Sequence, residues 1–388
     1  MKNQIETIIM FCYGDSTKAS TWSNVPYLMS QAFIEAGVEV ARCNIAPHRL
    51  LDKGWHKMVM PVLKAFGIKN YSFIRTLFFK WMTERKIRAQ IKKHPDADYC
   101  VFLTFEFYNR FSDIPSLLFM DWTYKILVEE RVGYRPSWLD RRFMNQQCNA
   151  ISHADIVLPL FSDSYEKMRI DYPLANLKLA PTNVINNLYQ GDIDSESDTV
   201  IDEKFDSHAI LFIGGRAYLE GLKIVVEALA NIHDDQICLD VIGMNEADFP
   251  NAPLGVKFHG YLHKEYTVEN SLYYRLLRRA KIVVNPTPTW GGYSSIVEAM
   301  YFYTPVIVTP YKQFTDEFGS ELDFGKLVEP TSNSTQKALE EIFNLPKKEY
   351  QVLCRNAHMR VRNYTWRSYV DYMIRLMNET KHKNIQGK

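Results

Sequence analysis

The chain lacks most of the features that mark the common specialised protein classes. No apolar run approaches the roughly 18 residues of a membrane-spanning helix. The early stretch "TIIMFCYG" begins too soon after Met1, is too short and has no small-residue cleavage site, so it reads as a first strand and not as a secretory signal. Cysteine is sparse and scattered: Cys12, Cys43, Cys100, Cys148, Cys238 and Cys354 form no C-x-x-C pair, and no two histidines have H-E-x-x-H spacing. Both a disulfide framework and a zinc site are thereby disfavoured. No G-x-G-x-x-G follows a strand-like run, which argues against a dinucleotide oxidoreductase. Excess charge of one sign is missing too, since 46 Lys and Arg stand against 45 Asp and Glu. A general nucleic-acid binder would show a basic surplus, so no nucleic-acid partner is expected. The reduced cytoplasm is the expected location.

What remains is an ordinary globular composition, 46% hydrophobic and 23% charged, spread over 388 residues. That length exceeds the usual single core and points to two domains. Short β-rich runs alternate with helical patterns, as in βαβ units with a parallel sheet. Strands are expected at "ETIIMFCYG", "VEVARCNI", "YCVFLTF", "SLLFMDW" and "ADIVLPL", and again at "HAILFIGG", "ICLDVIG", "GVKFHGY", "AKIVVNP" and "TPVIVTP". Between them fall helices such as "NVPYLMSQAFIEAG", with Asn24 as cap, Pro26 in the first turn and Gly37 at the end. The acidic, turn-rich stretch 186–206 is the best linker candidate. The fold class is therefore α/β, with two Rossmann-like domains facing across a cleft. Their bounds are 1–185 and 207–365, followed by a helix in 366–388 that packs back on the first domain. Trp366, Tyr369, Val370, Met373, Leu376 and Met377 give that last helix one apolar face, and the polar tail "TKHKNIQGK" should fray.

One segment breaks the neutrality. From Arg49 to Lys93, twelve Lys or Arg oppose only Asp52 and Glu84, with Trp55, Phe66, Phe73, Leu77, Phe78, Phe79 and Trp81 interleaved. This pattern suits either a solvated face over packed helices or a peripheral contact with an anionic membrane surface, where cations meet headgroups and rings enter the interface.

The stretch "NPTPTWGGYSSIVEAM" places two glycines ahead of a helix that starts near Ser294. Glycine lets a backbone approach another molecule closely, and a helix N-terminus offers free N–H groups to an anion. Together with "HAILFIGGRAYLEGLKIVVEAL" and "FHGYLHKEYTVENSLYY" before it, and "TPVIVTP" and "FGKLVEP" after it, this order resembles the C-terminal half of retaining GT-B glycosyltransferases of the family 4 group. In those enzymes a "GR…KG" turn and an "EGFGLxxxEA" run hold a nucleotide sugar. "STWSNVPYLMSQAFIEAGVEV" is similar to the opening of a bacterial subgroup, so the resemblance spans most of the chain.

The resemblance implies a nucleotide-diphosphate sugar as donor substrate, no cofactor, no metal, and a glycan or lipid-linked acceptor in bacterial cell-surface polysaccharide synthesis. Glu298 would accept hydrogen bonds from the ribose hydroxyls, although Ser295 and Glu298 also have the spacing of a capping box. Gly292, Tyr293, Ser294 and Ser295 would line the phosphates and sugar. Arg216, beside Gly215, would neutralise the diphosphate; its fork suits phosphate oxygens, but an arginine in such a turn can equally be a surface residue. Gly243 joins the donor set, and backbone atoms of Gly260, Tyr261 and Leu262 would hold the base. Gly14 matches a loop near the phosphates or acceptor, with Thr17 and Ser20 to Ser23 beside it. Asp121 in "FMDWTY" would stand at a strand end as a base or as a helix cap.

Two positions depart from the pattern. Trp290 stands where the family has a first glutamate, and Glu220 where it has a lysine, with Lys223 about one turn later. Either altered specificity or lost transfer follows. A binding-only scaffold and a nucleotide-sugar hydrolase or epimerase are the alternatives. The D-x-D triplets at 96–98 and 192–194 fall outside the context of a metal motif and read as solvated loops.

Overall fold

The computed structural model describes residues 5–68, 71–132, 135–232, 234, 236–288 and 293–386. Two compact units account for the chain: Met1–Asn183 with Trp366–Lys388, and Val184–Thr365. Each unit is built on one parallel sheet, because each strand is followed by a crossover that returns the chain in the same direction.

In the first unit the strands are β1 (Thr7–Cys12), β2 (Glu39–Asn44), β3 (Tyr99–Phe102), β4 (Ser116–Met120) and β5 (Ile156–Pro159), in spatial order β2-β1-β3-β4-β5. In the second they are β6 (Ala209–Ile213), β7 (Cys238–Ile242), β8 (Val256–Phe258), β9 (Ile282–Asn285), β10 (Val306–Val308) and β11 (Gly325–Leu327), in order β11-β10-β9-β6-β7-β8. All ten expected strands are present. β11 was missed because its three residues, Gly-Lys-Leu, carry almost no period. The central strand β3 is buried throughout, as a sheet covered on both faces requires, and so is β5 at one edge. Edge strand β2 is not buried at any position.

Both orders are doubly wound, and each has one point where consecutive strands diverge to opposite sides. Ligands bind outside the carboxyl ends of the strands at such a switch point. It lies between β1 and β3 in the first unit and between β6 and β9 in the second.

Several local expectations change. Asn24 does not cap the Val25–Glu35 helix: its φ is 72°, it follows Trp22 and Ser23 in the same left-handed region, and its side chain makes no cap bond. The stretch 186–206 contains the Ser197–Asp206 helix, which buries Val200, Ile201 and Lys204. Lys204 Nζ donates to the carbonyls of Leu277 and Ala280 at 2.7 and 3.1 Å and to Thr304 Oγ1 at 2.8 Å. Burial lowers its pKa to about 7. An acidic composition had hidden a helix fastened by one buried amine.

Asp98, read as part of a solvated triplet, is buried. Burial opposes its charge, but Lys381 and the N–H groups of Glu6 and Thr7 hold its pKa below the ordinary carboxylate value. The last helix, Trp366–Gln386, runs into the tail expected to fray, as far as Gln386. Its six apolar residues are buried within the first unit, where Trp366 and Tyr369 stack edgewise on Phe119.

Segment 49–93 divides its apolar residues. Phe79, Thr83, Ile87 and Ile91 form the buried face of the Leu77–Lys93 helix, and Phe73 is also buried. Leu50, Met58, Val62, Phe66, Leu77, Phe78 and Trp81 are exposed, Phe66 by 80%. Among the described residues no helix is long and apolar enough to cross a membrane.

Candidate functional site

In the second unit the loops leaving β6, β7, β8 and β9 are knitted together at the carboxyl edge. Gly243, after β7, has φ +102°, and a Cβ there would sit 2.6 Å from the Gly214 carbonyl oxygen. Its N–H donates to Gly260 O at 2.7 Å, while Gly260 N–H donates to Met244 O at 3.0 Å. Gly221, in the first turn of the Leu219–Ala230 helix, would place a Cβ 2.2 Å from Thr287 Oγ1 beyond β9. Side chains are excluded at these contacts, so what the edge presents is largely backbone. Asn285, the last residue of β9, is fully buried and its Nδ2 has no partner among the described residues.

Arg216 lies here on the turn after β6. Its side chain is 79% exposed, and Nε pairs with Asp248 Oδ1 at 3.0 Å. Tyr261 is exposed and Leu262 buried. Ser294 is exposed and Ser295 half-buried in the first turn of the Ser294–Tyr301 helix. Tyr293 offers no hydroxyl to an open site, because its ring is buried among Tyr311, Phe314 and Phe318. Trp290 and Gly292 lie outside the described residues.

Glu298 departs most from its expected setting. It is 4% exposed. The capping box is absent, since the helix begins after Tyr293 with no side-chain cap bond. Lys264 Nζ instead meets both carboxylate oxygens at 2.6 and 2.7 Å. Tyr273 donates to Oε2 at 2.8 Å and Tyr274 to Oε1 at 3.1 Å. A carboxylate has about four acceptor positions, and these four bonds fill them, so a ribose diol reaches Glu298 only by displacing a partner. Lys264 also donates to Asn186 O at 3.1 Å. Burial lowers its pKa and Glu298 opposes the shift. Burial, then the Glu298 charge, raises Tyr273 well above a normal phenol. The sequence offered only the adjacent "YY" in a helical run as a signal for this cluster.

The edge of the first unit is built differently. Gly14 N–H donates to Asn44 Oδ1 at 3.1 Å, tying the ends of β1 and β2. Thr17 is held by Asp15, through its hydroxyl at 2.7 Å. Asp121 follows β4; the next helical turn is capped by Thr123, not by Asp121. At the switch point stands Glu106, after β3, which receives Gln147 Nε2 at 3.0 Å and Tyr13 OH at 3.3 Å. Burial raises its pKa to about 7, against the hydrogen bonds from Gln147 and Tyr13. No motif marked it. Among the described residues no group of three or more His, Cys, Asp or Glu is placed to hold a metal ion.

Residues 207–344, which carry the knitted edge, match the family described as Glycosyl transferases group 1. No curated protein matches the chain by sequence. Among solved structures, sucrose-phosphate synthase from Thermosynechococcus elongatus is similar over 97% of this chain and 100% of its own, with TM-score 0.64 and 16% identity. WaaG, a glycosyltransferase involved in lipopolysaccharide biosynthesis, covers 95% and 99% with TM-score 0.61 and 13% identity. HepE of Anabaena, in complex with UDP-glucose, covers 97% and 99% with TM-score 0.58 and 15% identity. The chain thus has the two-domain GT-B fold, and the matched domain together with that fold supports a GT-B glycosyltransferase.

Proposed function

We propose that the protein is a retaining, metal-independent glycosyltransferase that needs no cofactor. It moves a sugar from a nucleotide-diphosphate donor to a glycan or lipid-linked acceptor in bacterial cell-surface polysaccharide synthesis. One observation carries the reading: the glycine-knitted loops at the carboxyl edge of the second sheet fall within the matched domain and leave a helix N-terminus and Arg216 at that edge. A helix end alone contributes about 0.3 to 2 kcal/mol to an anion. Arg216 is exposed and turned to a single carboxylate, so its guanidinium has capacity for phosphate oxygens.

In this reading Gly215, Gly243, Gly260, Tyr261, Leu262, Ser294 and Ser295 contact the donor. Tyr293 contributes through its backbone, and Trp290 and Gly292 are assigned to the donor from the sequence alone. Glu298 meets the ribose once Lys264 yields, and Gly14 and Asp121 serve from the first unit. Transfer with retention asks for positioning and charge stabilisation of the leaving diphosphate, which matches a site without a strong nucleophile. The exposed apolar residues of segment 49–93 with their surplus of cations support a cytoplasmic protein that is peripheral on an anionic membrane face, where a lipid-linked acceptor would reside.

HepE was solved with UDP-glucose, so UDP and its sugars are the first donors to test, beside GDP and its sugars, in a thermal-shift panel with product detection. Stabilisation by one nucleotide with transfer to a lipid extract is the expected result; stabilisation by none overturns the reading. A binding-only protein is the second reading, favoured by the filled acceptor positions of Glu298. It predicts nucleotide stabilisation with no product.

A further inference from the structure

A cavity of about 650 Å³ opens within the second unit along the Thr267–Arg279 helix, bounded also by the Ser197–Asp206 helix and the segment at Tyr189. The Thr267–Arg279 helix leaves the carboxyl edge of the sheet after β8 and ends at the amino edge, where β9 begins. Arg275, Arg278 and Arg279 lie in its last two turns. The charged end of the cavity is therefore on the opposite side of the sheet from Arg216 and the glycine-knitted loops.

The volume is in the range that takes a small molecule, and the lining is mainly carbon. Two rings account for much of that. Tyr274, shared with the Glu298 cluster, spends its hydroxyl on Glu298 and on the Leu188 N–H, which it accepts at 2.6 Å. Tyr189 spends its own on Arg278 Nη1 at 2.7 Å. What both leave for the cavity is ring surface. The guanidiniums differ in how far they are committed. Arg278 is also paired with Glu196 at 2.6 Å. Arg279 pairs through Nη2 with the buried Asp240 and keeps further N–H donors. Arg275 is exposed and has no partner among the described residues. Glu203 is the one acid among the described lining residues. Two guanidiniums with open donors against one carboxylate favour an anion, and the tyrosine rings favour a flat apolar body beside it.

We propose that this cavity is a binding site for a small anion, a phosphate or a carboxylate, carried on a flat apolar body. Arg275 and Arg279 hold the anion through their N–H groups, and the body lies against Tyr189 and Tyr274. The site is separate from the donor edge and stands whether or not the protein transfers a sugar.

Isothermal titration of the whole chain with naphthyl phosphate and naphthoate tests it, beside naphthol, which lacks the charge, and inorganic phosphate, which lacks the body. At least one of the two anionic probes is expected to bind, about tenfold more tightly than naphthol or inorganic phosphate, and the tighter of the two identifies the headgroup. Arg275→Gln should weaken that probe about tenfold, the loss of a charge-assisted hydrogen bond, and leave naphthol unchanged. Glu203→Gln should tighten it. Both positions are exposed, and melting temperatures establish that the variants are folded. Arg216→Gln, at the donor edge, should leave probe binding as in the wild type. The proposal is overturned by absence of binding for both anionic probes, by equal affinity for naphthol, or by wild-type affinity in folded Arg275→Gln. Weaker binding in Glu203→Gln, or its loss in Arg216→Gln, overturns it as well.

Discussion

The two sheets end in contrasting edges. In the second unit the loops touch through glycines so closely that side chains are excluded, and one exposed guanidinium stands at that edge. In the first unit the switch point is filled by side chains, with a carboxyl braced by a phenol and an amide. The same doubly wound topology thus supplies the same address twice, and residue chemistry decides what each address receives. A guanidinium beside a helix N-terminus suits a diphosphate; a desolvated carboxyl repels one and suits hydroxyls.

The contrast can be broken by substitution, and the largest effect is expected at Glu298. Glu298→Ala leaves Lys264 buried without its counter-charge, which costs about 3 to 5 kcal/mol. Thermal melts should show a large fall, and Lys264→Met with Glu298→Leu should recover much of it. If that folded double variant still responds to nucleotide as the wild type does, Glu298 acts only within its cluster and takes no ribose.

A smaller cost is expected at the glycines. Gly243→Ala adds a Cβ against the Gly214 carbonyl at a strained φ, worth about 1 to 3 kcal/mol, and should abolish the nucleotide-induced shift. Gly14→Ala at the other edge is strained by a φ of +112° as well, but its Cβ meets the Thr21 methyl, a side chain that can rotate away, and not backbone. It should leave nucleotide binding nearer to wild type. Equal losses from both would erase the distinction between the edges.

The pH signatures of the two units should oppose one another. Glu106 rises from an ordinary 4.5 to about 7 in the fold, so the native state binds the extra proton between those values and stability falls as pH rises through them, by at most about 3 kcal/mol. Lys204 drops from 10.5 to about 7, so the unfolded chain holds the extra proton and stability rises between 7 and 10.5. Melts across pH on Glu106→Gln and Lys204→Met should flatten the acid and alkaline limbs respectively.

The smallest effect on stability is expected on segment 49–93. Phe66→Ser, Phe78→Ser and Trp81→Ser change exposed positions and should shift stability by no more than about 0.5 kcal/mol. Flotation with phosphatidylserine-containing vesicles should show a clear loss of binding, and unchanged flotation would return this face to a solvated surface.

The sequence made the sheets legible because buried parallel strands read as short apolar runs, and β9 "IVVN" or β5 "IVLP" is hard to mistake. Loop glycines were legible as well, since an edge made of backbone must announce itself by small residues. Side-chain sites were not. Lys264 and Glu298 lie 34 residues apart, Tyr13 and Glu106 lie 93 apart, and neither pair has a local period. Asn24 misled because cap preference is a statement about side chains, while three successive left-handed residues set its backbone.

The position of the Trp366–Gln386 helix has a consequence for biosynthesis. It completes the first unit but emerges from the ribosome only after the entire second unit. Phe119 and its neighbours must wait uncovered through the making of more than 180 intervening residues, whereas the second unit is continuous and can mature at once. The usual vectorial order, amino-terminal domain first, therefore does not let the first unit close before the second has been made.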